Sequence, residues 1–187
     1  MRPGGILVDT NAYFRLAQSI RPLLGESFGQ EQHCLYVIKE LQKEYDKNPR
    51  LKNSFPWVNN AEYVKNRSHC LPVTRDQKPE ISRAFDFILD YVRHVHPGVS
   101  RIDVQCLAHA EVLGVPIVTD DAEMREAANA YNIKIYSTLE LLKLMLECGH
   151  VTIERIREIA GFWIYQKDQP INFRKDFKRL FGEDAPR

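Results

Sequence analysis

The chain has 187 residues, of which 44% are hydrophobic and 27% are charged, and its formal net charge is +1. This length suits one substantial core with appended segments, and the near-neutral charge excludes strong global attraction to polyanions while leaving local basic patches open. No apolar run is long enough to span a membrane, the N-terminus lacks a signal-peptide pattern, and four dispersed cysteines favour neither a zinc site nor disulfides, so we expect a cytoplasmic protein without membrane contact.

The first predicted strand covers residues 5–8 and runs directly into three polar residues, Asp9, Thr10 and Asn11. Each of these residue types is a good helix N-cap, and a helix is predicted to follow. Three good caps in succession exceed what capping requires. Asp9 therefore has both a structural interpretation, as a cap, and a chemical one.

A second strand is predicted at 34–37, followed by a helix over about 38–46. This helix carries Glu40 in its first turn and Glu44 one turn later. A spacing of four residues places both carboxylates on one face of a helix.

The segment from 46 to 80 differs in composition from the rest of the chain. Residues 46–78 hold seven basic and three acidic residues, together with three aromatic ones. Its prolines predict loops with one short helix near 58–65. Basic residues interleaved with aromatic rings suit single-stranded nucleic acid, because cations meet phosphates while rings stack on bases. The alternative is that the rings pack onto the core.

The second half of the chain alternates between helices and strands. A helix is predicted from Ile81 to the region before Pro97, and the next begins at Ser100, where Ser100 and Asp103 form a capping box, and ends at Gly114. Further elements are predicted as a strand at 115–118 that leads into Asp120 and Asp121, a helix with Met124 and Tyr131, a strand at 133–136, and a helix at 141–147. This alternation predicts an α/β fold with a parallel sheet.

Residues after Gly149 form two amphipathic patterns. The first, over 153–164, has widely spread apolar positions, so we expect it to fold back onto the chain's own domain. The second, over 173–181, is a narrow apolar stripe among four cations. It suits either the same core or the surface of a partner, including a second copy of the chain.

Four acids, Asp9, Glu40, Asp103 and Asp121, are predicted to meet at one edge of the sheet, because ligands bind at the carboxyl ends of parallel strands. Four carboxylates together repel one another unless a cation neutralises them. Oxygen ligands favour Mg²⁺ or Mn²⁺. Such a cation polarises a phosphodiester and activates a bound water, so the pattern indicates phosphodiester hydrolysis.

Four sequence motifs in order resemble those of PIN-domain nucleases. They are Leu7-Val8-Asp9-Thr10-Asn11, Tyr36-Val37-Ile38-Lys39-Glu40-Leu41, Ile102-Asp103-Val104, and Pro116-Ile117-Val118-Thr119-Asp120-Asp121-Ala122-Glu123-Met124. The resemblance implies a three-layer α/β/α sandwich with metal-dependent ribonuclease activity. Many bacterial members are toxins of toxin–antitoxin pairs, the VapC-like group, so it also implies an antitoxin partner.

Carried onto this chain, the resemblance makes Asp9, Glu40, Asp103 and Asp121 the catalytic acids and Asp9, Asp103 and Asp121 the metal ligands. It places Thr10 and Asn11 next to the acids, with Asp120 as a supporting residue or alternate ligand and Glu44 as a substitute for Glu40. The predicted domain spans residues 1–148, with an insertion at about 46–80, and a helical extension spans 149–187. The RNA contacts are expected from Lys47, Arg50, Lys52 and Trp57.

Two other classes of function stay open. One is a catalytically inert module of similar fold that binds RNA or a protein. The other is a phospho-acceptor receiver domain, which is disfavoured because no lysine ends a late strand to complete its site.

Overall fold

Five strands form the central sheet of the computed structural model, which describes residues 4–187. They are β1 (Gly5–Val8), β2 (Ser27–Phe28), β3 (His33–Tyr36), β4 (Ile117–Val118) and β5 (Ile135–Tyr136). Their order across the sheet is β2-β3-β1-β4-β5; β3, β1, β4 and β5 are parallel, and β2 is antiparallel to β3. The predicted α/β class with a largely parallel sheet is confirmed, and β2 is the strand that the sequence pattern missed.

Ten α-helices occur within residues 4–187. They are α1 (Thr10–Ala17), α2 (Glu40–Lys47), α3 (Pro49–Ser54), α4 (Ala61–Arg67), α5 (Gln77–Val95), α6 (Arg101–Leu113), α7 (Ala122–Ala130), α8 (Thr138–Glu147), α9 (Ile153–Gln166) and α10 (Phe173–Phe181). A 3-10 turn at Pro56–Asn59 lies between α3 and α4. None of these helices is long and apolar enough to cross a membrane.

The helices cover both faces of the sheet, as the alternation of side chains along β1 shows. Ile6 and Val8 point into one apolar core together with α1, α2, α8, α9 and α10. Leu7 points into a second core formed with α5, α6 and α7. Because successive strand residues face opposite sides of a sheet, a strand that is apolar throughout must be covered twice. The result is three layers, with helices on both sides of the strands.

The short helix predicted near 58–65 is found as α4, but the prediction of loops for most of the remaining segment was wrong, because it is largely helical. Pro49 begins α3 after Asn48, whose Oδ1 accepts from the Arg50 amide at 3.0 Å. Pro56 begins the 3-10 turn, and Pro79 lies in the first turn of α5. Amides in the first turn of a helix have no partner inside the helix, so proline costs little there. These prolines start helices rather than interrupt them.

The aromatic residues of this segment pack onto the core. Phe55 stacks on Phe14 with ring centroids 4.6 Å apart, and Trp57 lies 4.5 Å from Tyr63 and 6.4 Å from Tyr13. The structure thus agrees with the alternative in which the rings serve packing. Trp57 is half-buried in this cluster, so its prediction as a base-stacking residue is disfavoured.

Both helices of the C-terminal tail join the core that contains α1. Trp163 on α9 is 1% exposed and its indole Nε1 donates to the Arg15 carbonyl at 3.1 Å. Phe173 and Phe177 on α10 are buried in the same cluster. The expectation that 153–164 folds back onto the domain is confirmed. The stripe on α10 faces the chain's own core, which disfavours its use as a surface for a partner.

Candidate acidic site at the carboxyl edge of the sheet

The edge where β1 and β4 end brings together two of the predicted acidic segments. Val8 pairs with Val118 in the parallel ladder, and the Asp9 amide donates to the Val118 carbonyl at 3.1 Å. Asp9 therefore leaves β1 beside Thr119, the first residue after β4. The strand-end position predicted for Asp9 and for the acids after β4 is confirmed.

Three helices begin at this edge, and at the start of each an acid accepts a hydrogen bond from a backbone amide; Asp9 and Asp121 are N-caps, and Asp103 lies in the first turn after the N-cap Ser100. Asp9 Oδ1 accepts from the Ala12 amide at 2.6 Å, and Asp121 Oδ1 accepts from the Met124 amide at 2.7 Å. Asp103 Oδ2 accepts from the Ser100 amide at 3.0 Å in the predicted capping box. The partial positive charge of a helix N-terminus stabilises a carboxylate nearby. Capping thus holds the acids in place while using one oxygen of each.

The acids interact electrostatically as well. The pKa of Asp9 is raised to about 7, mainly by burial and also by the charges of Asp103 and Asp120, while hydrogen bonds with Thr119 and Ala12 oppose this rise. Burial and the charge of Asp121 raise the pKa of Asp103, opposed by its hydrogen bonds with Ser100. Carboxylates that affect one another's pKa in this way lie close together.

Glu44, rather than Glu40, joins this group. The Thr10 hydroxyl donates to Glu44 Oε2 at 2.7 Å. Burial raises the pKa of Glu44, the Thr10 hydrogen bond lowers it, and the charge of Asp103 raises it. Glu40 instead lies 3.9 Å from the Lys43 ammonium and lines a cavity between α2 and α6. The order of preference predicted between the two glutamates is therefore reversed.

Asp120 has a supporting position. Its Oδ2 accepts from the Arg15 guanidinium and from the Thr138 hydroxyl at 2.7 Å, and its Oδ1 accepts from the Thr138 amide at 3.0 Å. Arg15 also donates to Asp168 at 2.8 Å. With both oxygens engaged, Asp120 suits the predicted supporting role better than that of a ligand.

Thr10 and Asn11, predicted to contact the acids together, have different positions. Thr10 is buried and bonded to Glu44, whereas Asn11 is exposed, and among residues 4–187 no hydrogen bond joins Asn11 to an acid. Thr119 is a site residue that the sequence reasoning missed. It is fully buried, its Oγ1 accepts from the Asp121 amide at 3.1 Å, and its hydrogen bond with Asp9 links the ends of β1 and β4.

The donor set fits a hard divalent cation by its chemistry, since carboxylates are the ligands that Mg²⁺ and Mn²⁺ prefer. Across residues 4–187, however, no three side chains of His, Cys, Asp or Glu are arranged so that they could hold a metal ion. Mg²⁺ usually keeps several waters and binds through one or two carboxylates plus substrate phosphates. Asp103 and Asp121 each have one oxygen outside the capping bond, which matches this mode.

Comparisons with known proteins do not assign the chain to a family. No family model and no curated protein matches it. The crystal structure of FitAcB from Neisseria gonorrhoeae is similar over 72% of this chain and 98% of that chain, with 16% identity and a TM-score of 0.46. A likeness this weak carries no argument about function. The assignment to PIN-domain nucleases and their VapC-like group is contradicted by these findings and is withdrawn, so the site must be interpreted from its own residues.

Proposed function

We propose that the chain is a Mg²⁺- or Mn²⁺-dependent endoribonuclease that hydrolyses RNA phosphodiester bonds at the acidic edge of its sheet. The observation that supports this most is the placement of Asp9, Asp103 and Asp121 at the starts of three helices, where burial and neighbouring carboxylates raise the pKa values of Asp9 and Asp103. Asp9 is the buried member of this group, and a buried carboxylate is costly unless a cation compensates its charge. Perturbed pKa values in a cluster are typical of functional sites.

Each residue of the site has a role in this mechanism. Asp103 and Asp121 offer oxygens to the cation, and Asp9 supplies a further carboxylate whose position Thr119 fixes. When bound, the cation supplies Lewis-acid chemistry, which polarises the phosphodiester and lowers the pKa of a water. Glu44 is the side chain proposed to accept a proton, because the Thr10 hydroxyl holds its carboxylate near Asp103, whose charge helps to raise the pKa of Glu44.

The direct test is cleavage of a labelled single-stranded RNA by the purified chain. We expect cleavage with Mg²⁺ or Mn²⁺, none in EDTA, and recovery when the metal is restored in excess. Activity that persists unchanged in EDTA would overturn the metal-dependent mechanism. Absence of cleavage with either metal would instead leave the alternative of an inert RNA- or protein-binding module, which the lack of a preformed three-ligand group in residues 4–187 favours.

The two glutamates of α2 provide a matched comparison. Glu44→Gln should lower the cleavage rate by about a hundredfold, because it removes the carboxyl held by Thr10, whereas Glu40→Gln should lower it less than about threefold. Rates under saturating Mg²⁺ measure both effects. A larger loss with Glu40→Gln would restore the order predicted from the sequence.

The basic residues of α2 and α3 are predicted to engage RNA. Lys47, Arg50 and Lys52 are exposed, so they are available to phosphates. Replacing all three by alanine should reduce the slope of log affinity against log salt by about 2, since each phosphate contact on single strands contributes roughly 0.7. Fluorescence anisotropy at several salt concentrations measures this slope. An unchanged slope would show that these three side chains do not contact RNA phosphates and only keep the helix surface hydrated.

A role as the toxin of a toxin–antitoxin pair stays a prediction, because the similarity to FitAcB is too weak to support it. The adjacent gene tests it. A small neighbouring reading frame whose product binds this chain and blocks cleavage is the expected result for a toxin.

A further inference from the structure

A cavity of about 590 Å³ lies between α2, α5 and α6, and its walls combine apolar and polar groups. Ile38 and Glu40 form one side, the loop after α4 forms another, and Ile81 and Phe85 of α5 with His109 of α6 close it. Its volume falls within the roughly 300–1,000 Å³ that is typical of small-molecule sites. The cavity is thus large enough for one nucleotide.

Two helices lead from the acidic edge to this cavity. On α2, Glu40 lines the cavity and Glu44 lies one turn further along, bonded to Thr10. On α6, Asp103 lies in the first turn, and Gln105 and His109 follow along the cavity wall. Because α2 packs against α6, the cavity lies between the two helices that carry Glu44 and Asp103.

The polar groups in the cavity match a nucleotide. His109 Nδ1 lies 2.7 Å from the Gln105 carbonyl, which can only accept, so the neutral ring presents Nε2 as an acceptor. The Gln105 side-chain amide adds both a donor and an acceptor. Such groups beside apolar walls suit the edge and the faces of a base.

Two lysines, Lys39 and Lys78, and one carboxylate, Glu40, line the cavity. Within residues 4–187, neither Lys39 nor Lys78 forms an ion pair. The carboxylate of Glu40 lies 3.9 Å from the ammonium of Lys43 instead. Arg101 lies at the start of α6 with its guanidinium 5.1 Å from the centroid of the Phe85 ring. Cations at the rim with a carboxylate edge beyond them indicate a phosphate-containing ligand.

We infer that this cavity is a subsite for one unstacked nucleotide of single-stranded RNA, next to the phosphodiester that is cleaved. Lys39 and Lys78 bind its phosphates, and the base enters between the apolar wall and Gln105 and His109. A concave site of this kind excludes a base that is stacked in a duplex. The inference rests on the proposed function for the scissile bond, but the binding that it predicts needs no metal.

Binding in EDTA tests the subsite separately from cleavage. The probe is a fluorescent single-stranded oligoribonucleotide of about ten nucleotides, measured by anisotropy. Lys39→Ala with Lys78→Ala should weaken binding about tenfold and reduce the salt slope by about 1.4, from two phosphate contacts. Ser82→Trp, which fills the cavity from an exposed position on α5, should weaken binding without removing charge.

The matched control removes two exposed cations of α10 that do not line the cavity, with Arg174→Ala and Lys175→Ala. It should leave affinity within about twofold. Melting temperatures show whether each variant is folded. The same strand annealed to its complement should bind more weakly, as should free nucleoside monophosphates.

The outcomes separate the two proposals. Unchanged affinity for the oligoribonucleotide in both cavity variants would overturn the subsite. Binding of free nucleoside monophosphates as tightly as the oligoribonucleotide would also overturn it. Both conclusions hold even if the wild-type chain cleaves RNA. Affinity lost in both variants, in a chain that cleaves nothing with Mg²⁺ or Mn²⁺, supports the subsite and overturns the proposed hydrolysis.

Discussion

Replacing Asp103 by asparagine should lower Mg²⁺-dependent RNA cleavage by about a hundredfold to a thousandfold, which is the usual effect of removing one group that stabilises a transition state electrostatically. Asparagine keeps an oxygen that can accept from the Ser100 amide, so the capping box at the start of α6 can survive. The variant thus removes charge while preserving the helix. Initial rates at several Mg²⁺ concentrations measure the loss.

Glu111→Gln on the same helix is the matched control, since Glu111 is exposed near the other end of α6. It should cleave at the wild-type rate. Circular dichroism and thermal melting of both variants show that the helix is intact. If the Asp103→Asn variant kept more than half of the wild-type rate, Asp103 would have only its capping role.

Asp9→Asn should stabilise the metal-free protein, and the gain should depend on pH. The pKa of Asp9 rises from 3.8 to about 7 on folding, chiefly through burial. Between these values the folded state binds more protons than the unfolded state, so stability falls as pH rises from about 4 to about 7. At 1.36 kcal/mol per pH unit, the cost above pH 7 is about 4 kcal/mol.

Asparagine has no charge to bury and can still accept from the Ala12 amide, so most of this cost should disappear. Urea unfolding in EDTA at about pH 4.5 and 8 measures the free energy of unfolding of both proteins. We expect a gain of a few kcal/mol at pH 8 and little at pH 4.5. Asp86→Asn, at an exposed position on α5, is the control and should show no such difference.

Added Mg²⁺ gives this experiment a second readout. A ligand that binds only the folded state raises stability in proportion to the logarithm of its concentration. Mg²⁺ should therefore stabilise the wild-type protein more than Asp9→Asn and reduce the gap at pH 8. If the difference in free energy of unfolding between the wild-type protein and Asp9→Asn were equal at both pH values, burial of the Asp9 carboxylate would not destabilise the folded protein.

The features that sequence reasoning predicted well depend on local rules. Strand β1 is apolar and ends at Asp9, and the strand before Asp121 behaves in the same way, so a parallel sheet necessarily brings these acids to one edge. The capping box of Ser100 and Asp103 is a local pattern of four residues. Such features need no knowledge of distant contacts.

The features that were missed depend on contacts between distant residues. Glu40 and Glu44 share a helix face in the sequence pattern, but the packing of α2 against Thr10 decides which one meets the acids. The apolar stripe of α10 fits a partner or the chain's own core equally well until Phe177 is seen to be buried. The prolines after Asn48 misled for another reason, since proline marks helix starts as well as loops.

Arg15 has a consequence for the order in which the protein matures. Its carbonyl accepts from Trp163, 148 residues later, and its guanidinium binds Asp168, 153 residues later. A ribosome that adds about 5–20 residues per second needs roughly 8–30 seconds to span that interval. During this time the nascent chain already contains Asp9, and later Asp120. It does not yet contain Trp163 and Asp168, which hold Arg15 in place. We therefore expect the acidic edge to acquire its final geometry only after the segment up to Asp168 has been synthesised and has packed against α1.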